Sequence, residues 1–303
     1  MIRHFGYACQ NMTLSEGIKP KKDRVFTDRT IRLANFSIRK VDELILQNVK
    51  DLLKIIYWNR DHGIHFFRVG SNVFPFMDHP ELKYGIDDLP HASDIKGIIA
   101  RAGEVAHSVG MRLSSHPGPY TCLASPDEAI VQKSIDSLNM HSLMGDLLRH
   151  DDFVINIHVG GSYGGDFNGT AERFIANWNR LSDRVKSRLT IENDDKKRMW
   201  TVDKLDDLIC KRINLPIVMD IHHHRLNPGT LSLEDALMTA LMTWKGGRFP
   251  KIHYSDPRDE EYPQAHHDFV DGWKDLPDVG MDFDCMLEAK HKELALLRLR
   301  ERV

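Results

Sequence analysis

The residues of this 303-residue chain that could do chemistry are histidines and acids that follow short apolar runs. The chain contains 17 histidines, and imidazole is the commonest transition-metal ligand at neutral pH. Six consecutive apolar runs end in, or shortly precede, a histidine or a carboxylate: His116, His158, Glu192, Asp220, His223, His253, His266 and Glu288. This pattern predicts a metal site.

Eight candidate ligands exceed what one ion needs, because a single catalytic zinc takes about three protein ligands. The eight residues predict two or three ions. Glu192, which is central in the order of the strands, is the predicted bridge between neighbouring ions. A mixture of imidazole and carboxylate suits Zn2+, Mn2+ or Fe2+ better than Mg2+ or Ca2+ alone. Clustered divalent ions clamp the attacking and the leaving oxygens of a phosphodiester, so hydrolytic phosphate chemistry is the leading reaction class.

The structural alternative is that these side chains only make hydrogen bonds, as a single histidine at a strand end usually does. Six strand ends favour the metal site, because burying so many ionisable groups around one mouth costs on the order of several kcal/mol for each unpaired charge unless cations neutralise them. His222 and His224 flank His223, and we expect them to be orienting or structural residues.

Such a site requires a fold that brings the ends of several strands together. Short Val- and Ile-rich runs without polar alternation are typical of strands buried on both faces of a parallel sheet. The runs are residues 2–7, 66–69, 112–116, 153–158, 189–192, 217–220, 251–255 and 283–288. The segments between them predict helices at residues 41–61, 94–109, 127–144, 171–181, 202–213, 233–243, 267–273 and 291–299.

Eight strands that alternate with helices predict an α/β fold, a single-domain (β/α)8 TIM barrel over residues 1–303. The metal cluster is expected at the C-terminal face of the strands, where active sites of such barrels lie. Ser93, Ser125 and Ser232 stand where helices begin and are predicted to accept hydrogen bonds from unpaired helix amides.

Composition excludes several other classes of protein. The chain is 41% hydrophobic and 28% charged with a net charge of −3, which argues against disorder and against DNA binding by bulk basicity. No apolar stretch approaches the roughly 20 residues of a membrane span, and the N-terminus lacks the apolar region of a signal peptide. The four cysteines form no CxxC pair, which fits a reducing compartment. We expect a soluble cytoplasmic monomer that binds neither a membrane nor an obligate protein partner.

Nine motifs extend over nearly the whole chain and together are highly specific. They are GY at 6–7, NMTL at 11–14, SHPGPY at 115–120, NIHVGGSYG at 156–164, LTIENDD at 189–195, DIHHH at 220–224, PKIHYS at 250–255, QAH at 264–266 and LEAK at 287–290. In this order they resemble the UV damage endonuclease family, UvdE/UvsE, whose barrel is similar to that of endonuclease IV.

The resemblance implies an endonuclease that cuts damaged double-stranded DNA immediately 5′ of a pyrimidine dimer or (6-4) photoproduct and also acts on abasic sites. The products would carry 3′-hydroxyl and 5′-phosphate ends. It implies that the eight residues above hold Mn2+, with Zn2+ or Mg2+ as alternatives. Glu192, Glu288 and Lys251 would be catalytic, and Lys251 matches a lysine that is found chemically modified in the family.

For lesion recognition the resemblance implies that Tyr7, Asn11, Pro119 and Tyr120 lie against DNA. Tyr120 is suited to act as a wedge when the damaged nucleotides leave the stack. Pro119 stands where the family often has Gln, and because proline cannot hydrogen-bond a base edge, an altered lesion preference is expected. The alternative for Tyr7 and Tyr120 is that they only line the barrel mouth.

Two basic segments could anchor DNA phosphates without reading the sequence. They comprise Lys19, Lys21, Lys22 and Arg24 after the first strand, and Lys196, Lys197 and Arg198 after the fifth. The alternative is that both are solvated surface.

Two other functions remain open from the residues. A metal-dependent sugar isomerase or epimerase also gathers Glu, Asp and His at barrel strand ends, but it needs fewer histidines and a closed pocket. A damage-binding protein without turnover is less favoured, because a decayed site would be expected to lose some of its eight ligands.

Overall fold

A computed structural model describes residues 1–20 and 23–302. Its eight strands are all parallel and hydrogen-bond in the order β6-β5-β4-β3-β2-β1-β8-β7. They are β1 (Ile2–Ala8), β2 (Phe66–Val69), β3 (Arg112–Ser115), β4 (Val154–His158), β5 (Leu189–Glu192), β6 (Ile217–Val218), β7 (Lys251–Tyr254) and β8 (Phe283–Leu287). All eight predicted strands are confirmed, with their ends shifted by at most two residues.

The sheet closes into a barrel between β6 and β7. Asp220 forms a parallel bridge with His253, and the backbone amide of His253 donates to the carbonyl of Met219 at 2.9 Å. Asp220 lies just beyond the strand in which it was predicted, because the chain turns there into a helix whose amide at His223 donates to the Asp220 carboxylate at 2.8 Å. The predicted TIM barrel is confirmed.

The helices pack around the outside of the barrel. They are α1 (Ile38–Asp61), α2 (Ala92–Ser108), α3 (Glu128–Leu147), α4 (Phe167–Asn179), α5 (Asp183–Lys186), α6 (Val202–Leu205), α7 (Lys211–Ile213), α8 (Ile221–Leu226), α9 (Leu233–Met242) and α10 (Lys292–Arg300). A π-helical turn, Asp206–Cys210, joins α6 to α7, so the predicted helix at 202–213 is continuous but wider in its middle. None of the helices in the described residues is long and apolar enough to span a membrane.

Three predictions about helix ends and bounds had different outcomes. Ser232 accepts from the amide of Asp235 at 3.1 Å and begins α9 as predicted. Ser93 does not begin α2, because the helix begins at Ala92 and His91 is its capping residue. The amide of His91 donates to the buried Asp42 at 2.9 Å. Ser125 accepts from the amide of Asp127, which itself begins α3.

The helix predicted at residues 267–273 is wrong. Only a short 3-10 turn, Gly272–Asp275, is present in this region. The prediction failed because the carboxylate of Asp256 accepts from the amides of Asp271 and Gly272, at 2.6 and 3.0 Å, and holds the segment as a loop.

The apolar core lies mostly between the barrel and the helices. Small separate clusters, such as Ala8 with Phe66 and Met286, fill part of the barrel interior. Gly6 is needed beside this cluster, because a Cβ there would lie 2.5 Å from the carbonyl oxygen of Phe66. Apolar packing outside therefore supports an interior that is free to hold polar groups.

The N-terminal end of the barrel is closed by a buried ion pair. Arg112 and Asp284 are at most 5% exposed, and Nη1 of Arg112 donates to Oδ2 of Asp284 at 2.9 Å. Arg3 adds two further hydrogen bonds to the same carboxylate, at 2.8 and 3.0 Å. Because the pair joins β3 to β8 across the barrel, it fixes the interior below the strand ends.

Removal of the Asp284 charge should destabilise the fold. Asp284→Asn leaves the Arg112 guanidinium buried without its counter-charge, which costs about 3–5 kcal/mol of unfolding free energy. Urea unfolding followed by circular dichroism measures the loss. The control is Asp282→Asn, since Asp282 is 69% exposed and its ion pair with the N-terminus should contribute less than about 1 kcal/mol. Equal stability of the two variants would contradict this role for Asp284.

Candidate metal centre

The carboxyl ends of the parallel strands meet at one mouth of the barrel, and the candidate ligands lie there. His158 and Glu192 are the last residues of β4 and β5 and stand side by side in register. His116 follows β3, His253 lies within β7, and Glu288 follows β8. Local strand geometry thus delivers side chains from separate segments to one place, as the sequence predicted.

Glu192 is at the centre of the group. Its carboxylate is 1% exposed, and its two oxygens face different imidazoles. Oε2 lies 3.1 Å from Nε2 of His116 and 4.0 Å from Nε2 of His158. Oε1 lies 3.2 Å from Nδ1 of His253 and 3.5 Å from Nδ1 of His223. This two-sided arrangement is what a carboxylate shared by two ions requires.

Two groups of ligand atoms are close enough to hold an ion each. One comprises His116, His158 and Glu192, and the other comprises Glu192, Asp220 and His253; within each group the atoms lie within 4.8 Å of one another. Both groups contain Glu192. The structure therefore brings five of the eight predicted ligands into two adjoining candidate sites.

The three other predicted ligands lie around these groups. Glu288 Oε1 is 3.1 Å from Nδ1 of His253, and Glu288 Oε2 is 4.0 Å from Nε2 of His266. Nε2 of His223 is 4.0 Å from Oδ2 of Asp220. The ring of His266 also lies 5.6 Å from that of His222, which is buried beside it. These residues are the candidates for a third ion.

Two observations indicate that these residues fit a divalent transition-metal ion. Asp220 Oδ2, His253 Nδ1 and His266 Nδ1 are buried and have no well-aligned hydrogen-bond partner among the described residues, a costly state unless another ligand satisfies them. Nδ1 of His116 and Nδ1 of His223 lie 3.0 and 2.9 Å from backbone carbonyls, and such bonds orient metal-binding imidazoles. Imidazole and carboxylate together suit Mn2+ or Zn2+.

The electrostatics of the centre attract positive charge. Burial would raise the pKa of Glu192, but His253, His158 and His116 hold the pKa of this carboxyl well below its usual range. Burial lowers the pKa of His158 and of His223, but the neighbouring carboxylates outweigh burial and raise each pKa to about 9. Glu192 is thus held ionised, and the surroundings of His158 and His223 favour positive charge, whereas burial lowers the pKa of His116.

Lys251 lies within the barrel, below the strand ends. Its Nζ is fully buried and lies 3.4 Å from Nε2 of His253. Burial, with the charges of Arg112 and Arg68 nearby, lowers the pKa of Lys251 well below its ordinary value. The Nζ at this position can hold the His253 ring with Nδ1 toward the carboxylates.

Several orienting residues were missed by the sequence analysis. Asn156 donates to Glu192 and is itself held by Thr190 at 2.9 Å, while Asp194 Oδ1 lies 3.2 Å from Nδ1 of His158. Arg68, in β2, pairs with Glu288 at 2.5 Å. The alternation of strand residues could have identified Asn156, two residues before His158 and on the same face.

The predicted lesion-contacting residues divide into two sets. Tyr120 is 89% exposed, and Pro119 beside it is exposed as well; both line a groove of about 780 Å3 between α3 and the loop after β2. Lys196, Lys197 and Arg198 are exposed after β5, and Lys19 is exposed after β1. Lys21 and Lys22 lie outside the described residues. These surfaces are available to a ligand.

Tyr7 and Asn11, which were predicted to lie against DNA, are both fully buried in this structure, and their contact with DNA stays a prediction. The hydroxyl of Tyr7 donates to Asn59 in α1 at 2.6 Å, and Asn11 donates to the Tyr7 oxygen at 3.0 Å. Oδ1 of Asn11 accepts from the amide of Leu14 at 3.0 Å. The two residues thus build the base of the first loop, on the helix side of the barrel, and neither lines the mouth.

An eight-stranded parallel barrel with a histidine and carboxylate cluster at its mouth defines a class, the TIM-barrel proteins with a candidate metal centre. Within this class, a sequence profile described as UV-endonuclease UvdE matches residues 3–303. This chain belongs to the UvdE family.

Individual relatives agree with the family match. A UV-damage endonuclease of Schizosaccharomyces pombe is 37% identical over 98% of this chain and 50% of its own length. A UV DNA damage endonuclease of Bacillus pumilus is 33% identical over 99% of this chain and 94% of its own length. The chain thus spans about half the length of the fungal relative. The crystal structure of SacUVDE superposes with a TM-score of 0.85 at 31% identity, over 99% of this chain and 98% of that chain.

More distant structures share only the fold. Endonuclease IV from Thermus thermophilus has a TM-score of 0.54 at 16% identity, over 82% of this chain and 92% of that chain. D-psicose 3-epimerase from Clostridium cellulolyticum has a TM-score of 0.53 at 15% identity, over 78% of each chain. The family match, and not the barrel, favours an endonuclease over the sugar epimerase.

The orienting carboxylate gives a test of the centre. Asp194→Asn removes the charge that faces His158 and should weaken Mn2+ binding by about 10- to 100-fold, the usual cost of losing such a partner. Calorimetric titration of metal-depleted protein measures the affinity. Asp195→Asn, a substitution at the half-buried neighbour, is the matched control and should leave the affinity unchanged. Unchanged binding in Asp194→Asn would show that His158 is not a ligand that Asp194 orients.

Proposed function

We propose that this chain is a metal-dependent DNA repair endonuclease that hydrolyses the phosphodiester immediately 5′ of UV photoproducts. The substrates are double-stranded DNA with pyrimidine dimers or (6-4) photoproducts, and abasic sites in addition. The products carry 3′-hydroxyl and 5′-phosphate ends. The observation that carries the proposal is that a chain of the UvdE family gathers imidazoles around the buried Glu192 at the barrel mouth.

The proposed cofactor is two or three Mn2+ ions, with Zn2+ or Mg2+ as alternatives. The residues that would hold them are His116, His158, Glu192, Asp220, His223, His253, His266 and Glu288. The chemistry that such ions supply is activation of water and neutralisation of the charge that develops on phosphodiester oxygens. Glu192 belongs to both groups of ligand atoms, so its loss would disturb both at once.

The protein's own part is to hold these groups rigidly. Glu288 is fixed between Arg68 and His253, which together lower the pKa of its carboxyl against the effect of burial. Lys251 supports His253 from below, with Nζ 3.4 Å from Nε2 of the imidazole. Preorganised charges in a water-poor mouth stabilise a transition state without reorganisation during the reaction. Glu192, Glu288 and Lys251 are therefore the proposed catalytic residues.

The exposed residues would supply DNA binding. Tyr120, at 89% exposure, would enter the base stack, and Pro119 would limit contact at its position to shape and apolar surface. Lys196, Lys197 and Arg198 would bind backbone phosphates. A monomer in the cytoplasm, without an obligate protein partner, stays our prediction.

Loss of the shared carboxylate should separate chemistry from binding. Glu192→Gln keeps the size of the side chain and removes the charge that both candidate sites use, so cutting of a dimer-containing duplex should fall by at least about 1,000-fold. Binding of the same duplex, measured by fluorescence anisotropy, should remain within about threefold. Glu172→Gln, in an exposed side chain of α4, is the control. Undiminished nicking by Glu192→Gln would remove Glu192 from the site.

Loss of the proposed wedge, Tyr120, should lower selectivity for damaged DNA and leave the cutting chemistry intact. Tyr120→Ala should lower the selectivity for damaged over intact duplex by about tenfold or more, because stacking of an aromatic ring on a base contributes about 1–3 kcal/mol. The rate at an abasic site should change by less than about twofold, since no base remains there to displace. Competition assays with the three duplexes measure both. Equal losses on dimer and abasic substrates would contradict the wedge.

A further inference from the structure

Tyr163 is an exposed aromatic residue that has no part in the metal centre as described above. It lies in the loop of residues 159–166, which follows β4, and is 41% exposed. Its hydroxyl lies 3.4 Å from Sγ of Cys122, and the same sulfur donates to the carbonyl of Val159 at 3.4 Å. Cys122 is two residues from Tyr120. The two loops are therefore joined beside the proposed wedge.

The backbone shows that this contact is closely fitted. Tyr163 has a φ of +43°, a left-handed conformation that costs an ordinary residue about 1–2 kcal/mol. Such strain persists only where the surroundings determine the conformation. Gly160 has a φ of +102°, and a Cβ there would lie 2.3 Å from Sγ of Cys122. A side chain at residue 160 would therefore be strained by the backbone and would force Sγ of Cys122 to move.

A third element secures the same contact. Arg173 in α4 places its guanidinium carbon 5.0 Å from the centre of the Tyr163 ring. Its Nε donates to the carbonyl of Ala124 at 3.0 Å, and Asn177, one turn further along, donates to the carbonyl of Leu123 at 2.8 Å. Residues 122–124 are therefore held by α4 and by Tyr163 together. Tyr120 itself, at 89% exposure, projects from the end of this anchored segment.

We propose that Tyr163 is a positioning residue for lesion recognition, which fastens residues 122–124 and thereby fixes where Tyr120 stands at the barrel mouth. The inference rests on the proposed function, since it assigns Tyr163 a part in how Tyr120 distinguishes damaged from intact duplex. An exposed wedge that must be ordered on binding loses affinity to the entropy of ordering, and a wedge that is already held does not. Tyr163, Cys122 and Arg173 supply that order in advance.

The first test needs no substrate. Hydrogen exchange of the free protein should become faster in residues 118–124 of Tyr163→Ala, by about fivefold or more, and to a smaller extent in Tyr163→Phe, which keeps the ring and loses only the hydroxyl. Tyr57→Ala is the matched control, because the ring of Tyr57 also lies under an arginine, Arg60, but on α1. Unchanged exchange in residues 118–124 would overturn the positioning role.

The second test is a double-mutant cycle. Tyr163→Ala should raise KM for a dimer-containing duplex by about fivefold, with kcat and the rate at an abasic site within about twofold. In a Tyr120→Ala background the same substitution should change KM by less than about 1.5-fold, because the residue it positions is absent. Independent, multiplicative effects of the two substitutions would overturn the inference. If Tyr163→Ala does not fold, the pair Tyr163→Phe and Cys122→Ala carries both tests.

These results separate two failures. If the wild-type protein does not prefer damaged duplex at all, the proposed function fails, and hydrogen exchange alone then decides whether Tyr163 positions the loop. If the preference exists and Tyr163→Ala retains it in full, only the inference about Tyr163 fails.

Discussion

The arrangement of this protein depends on one buried carboxylate. Glu192 is almost fully covered and faces His116 and His158 through one oxygen and His253 and His223 through the other. A lone carboxylate in this place would be strongly disfavoured, and its ionisation is held by the surrounding imidazoles. Those imidazoles in turn need fixed orientations, which backbone carbonyls, Asp194 and Lys251 provide. The parallel barrel is the device that brings these contributors, distant in sequence, to one mouth.

The need to orient these imidazoles also determines the composition of the barrel interior below the mouth. The barrel is closed at its other end by Arg112 and Asp284, with Lys251 between that pair and the ligands. A largely polar interior contributes little hydrophobic stabilisation, so the apolar packing that holds the fold together lies outside, between strands and helices. The loop that carries Tyr120, which we propose contacts DNA, is built on this barrel.

The sequence predicted much of this because the carboxyl ends of parallel strands must share a face. Glu192 and His158 could therefore be placed together from their positions after apolar runs. The side of β1 on which Tyr7 lies could not, since a strand buried on both faces shows no alternation; its ring packs outward at 5.1 Å from that of Phe67. Ser93 failed as a helix start because α2 begins at Ala92, after His91, whose amide is held by a distant residue, Asp42.

Residues that act through others were the hardest to predict. Arg68 pairs with an acid 220 positions away, and Tyr163 approaches a cysteine 41 positions away. Such partners follow from loop geometry and not from local pattern. The loop predicted as a helix at residues 267–273 belongs to the same group, because the contacts of Asp256 hold it from outside.

The most direct test of the central claim is a cutting assay on an end-labelled duplex that contains a single cyclobutane dimer. Metal-depleted protein, the same protein reloaded with Mn2+, and reloaded protein with excess chelator are compared. The account predicts a cut immediately 5′ of the dimer only in the reloaded sample without chelator. No cut by protein shown to hold its metal, or an equal cut by the metal-depleted protein, would contradict it.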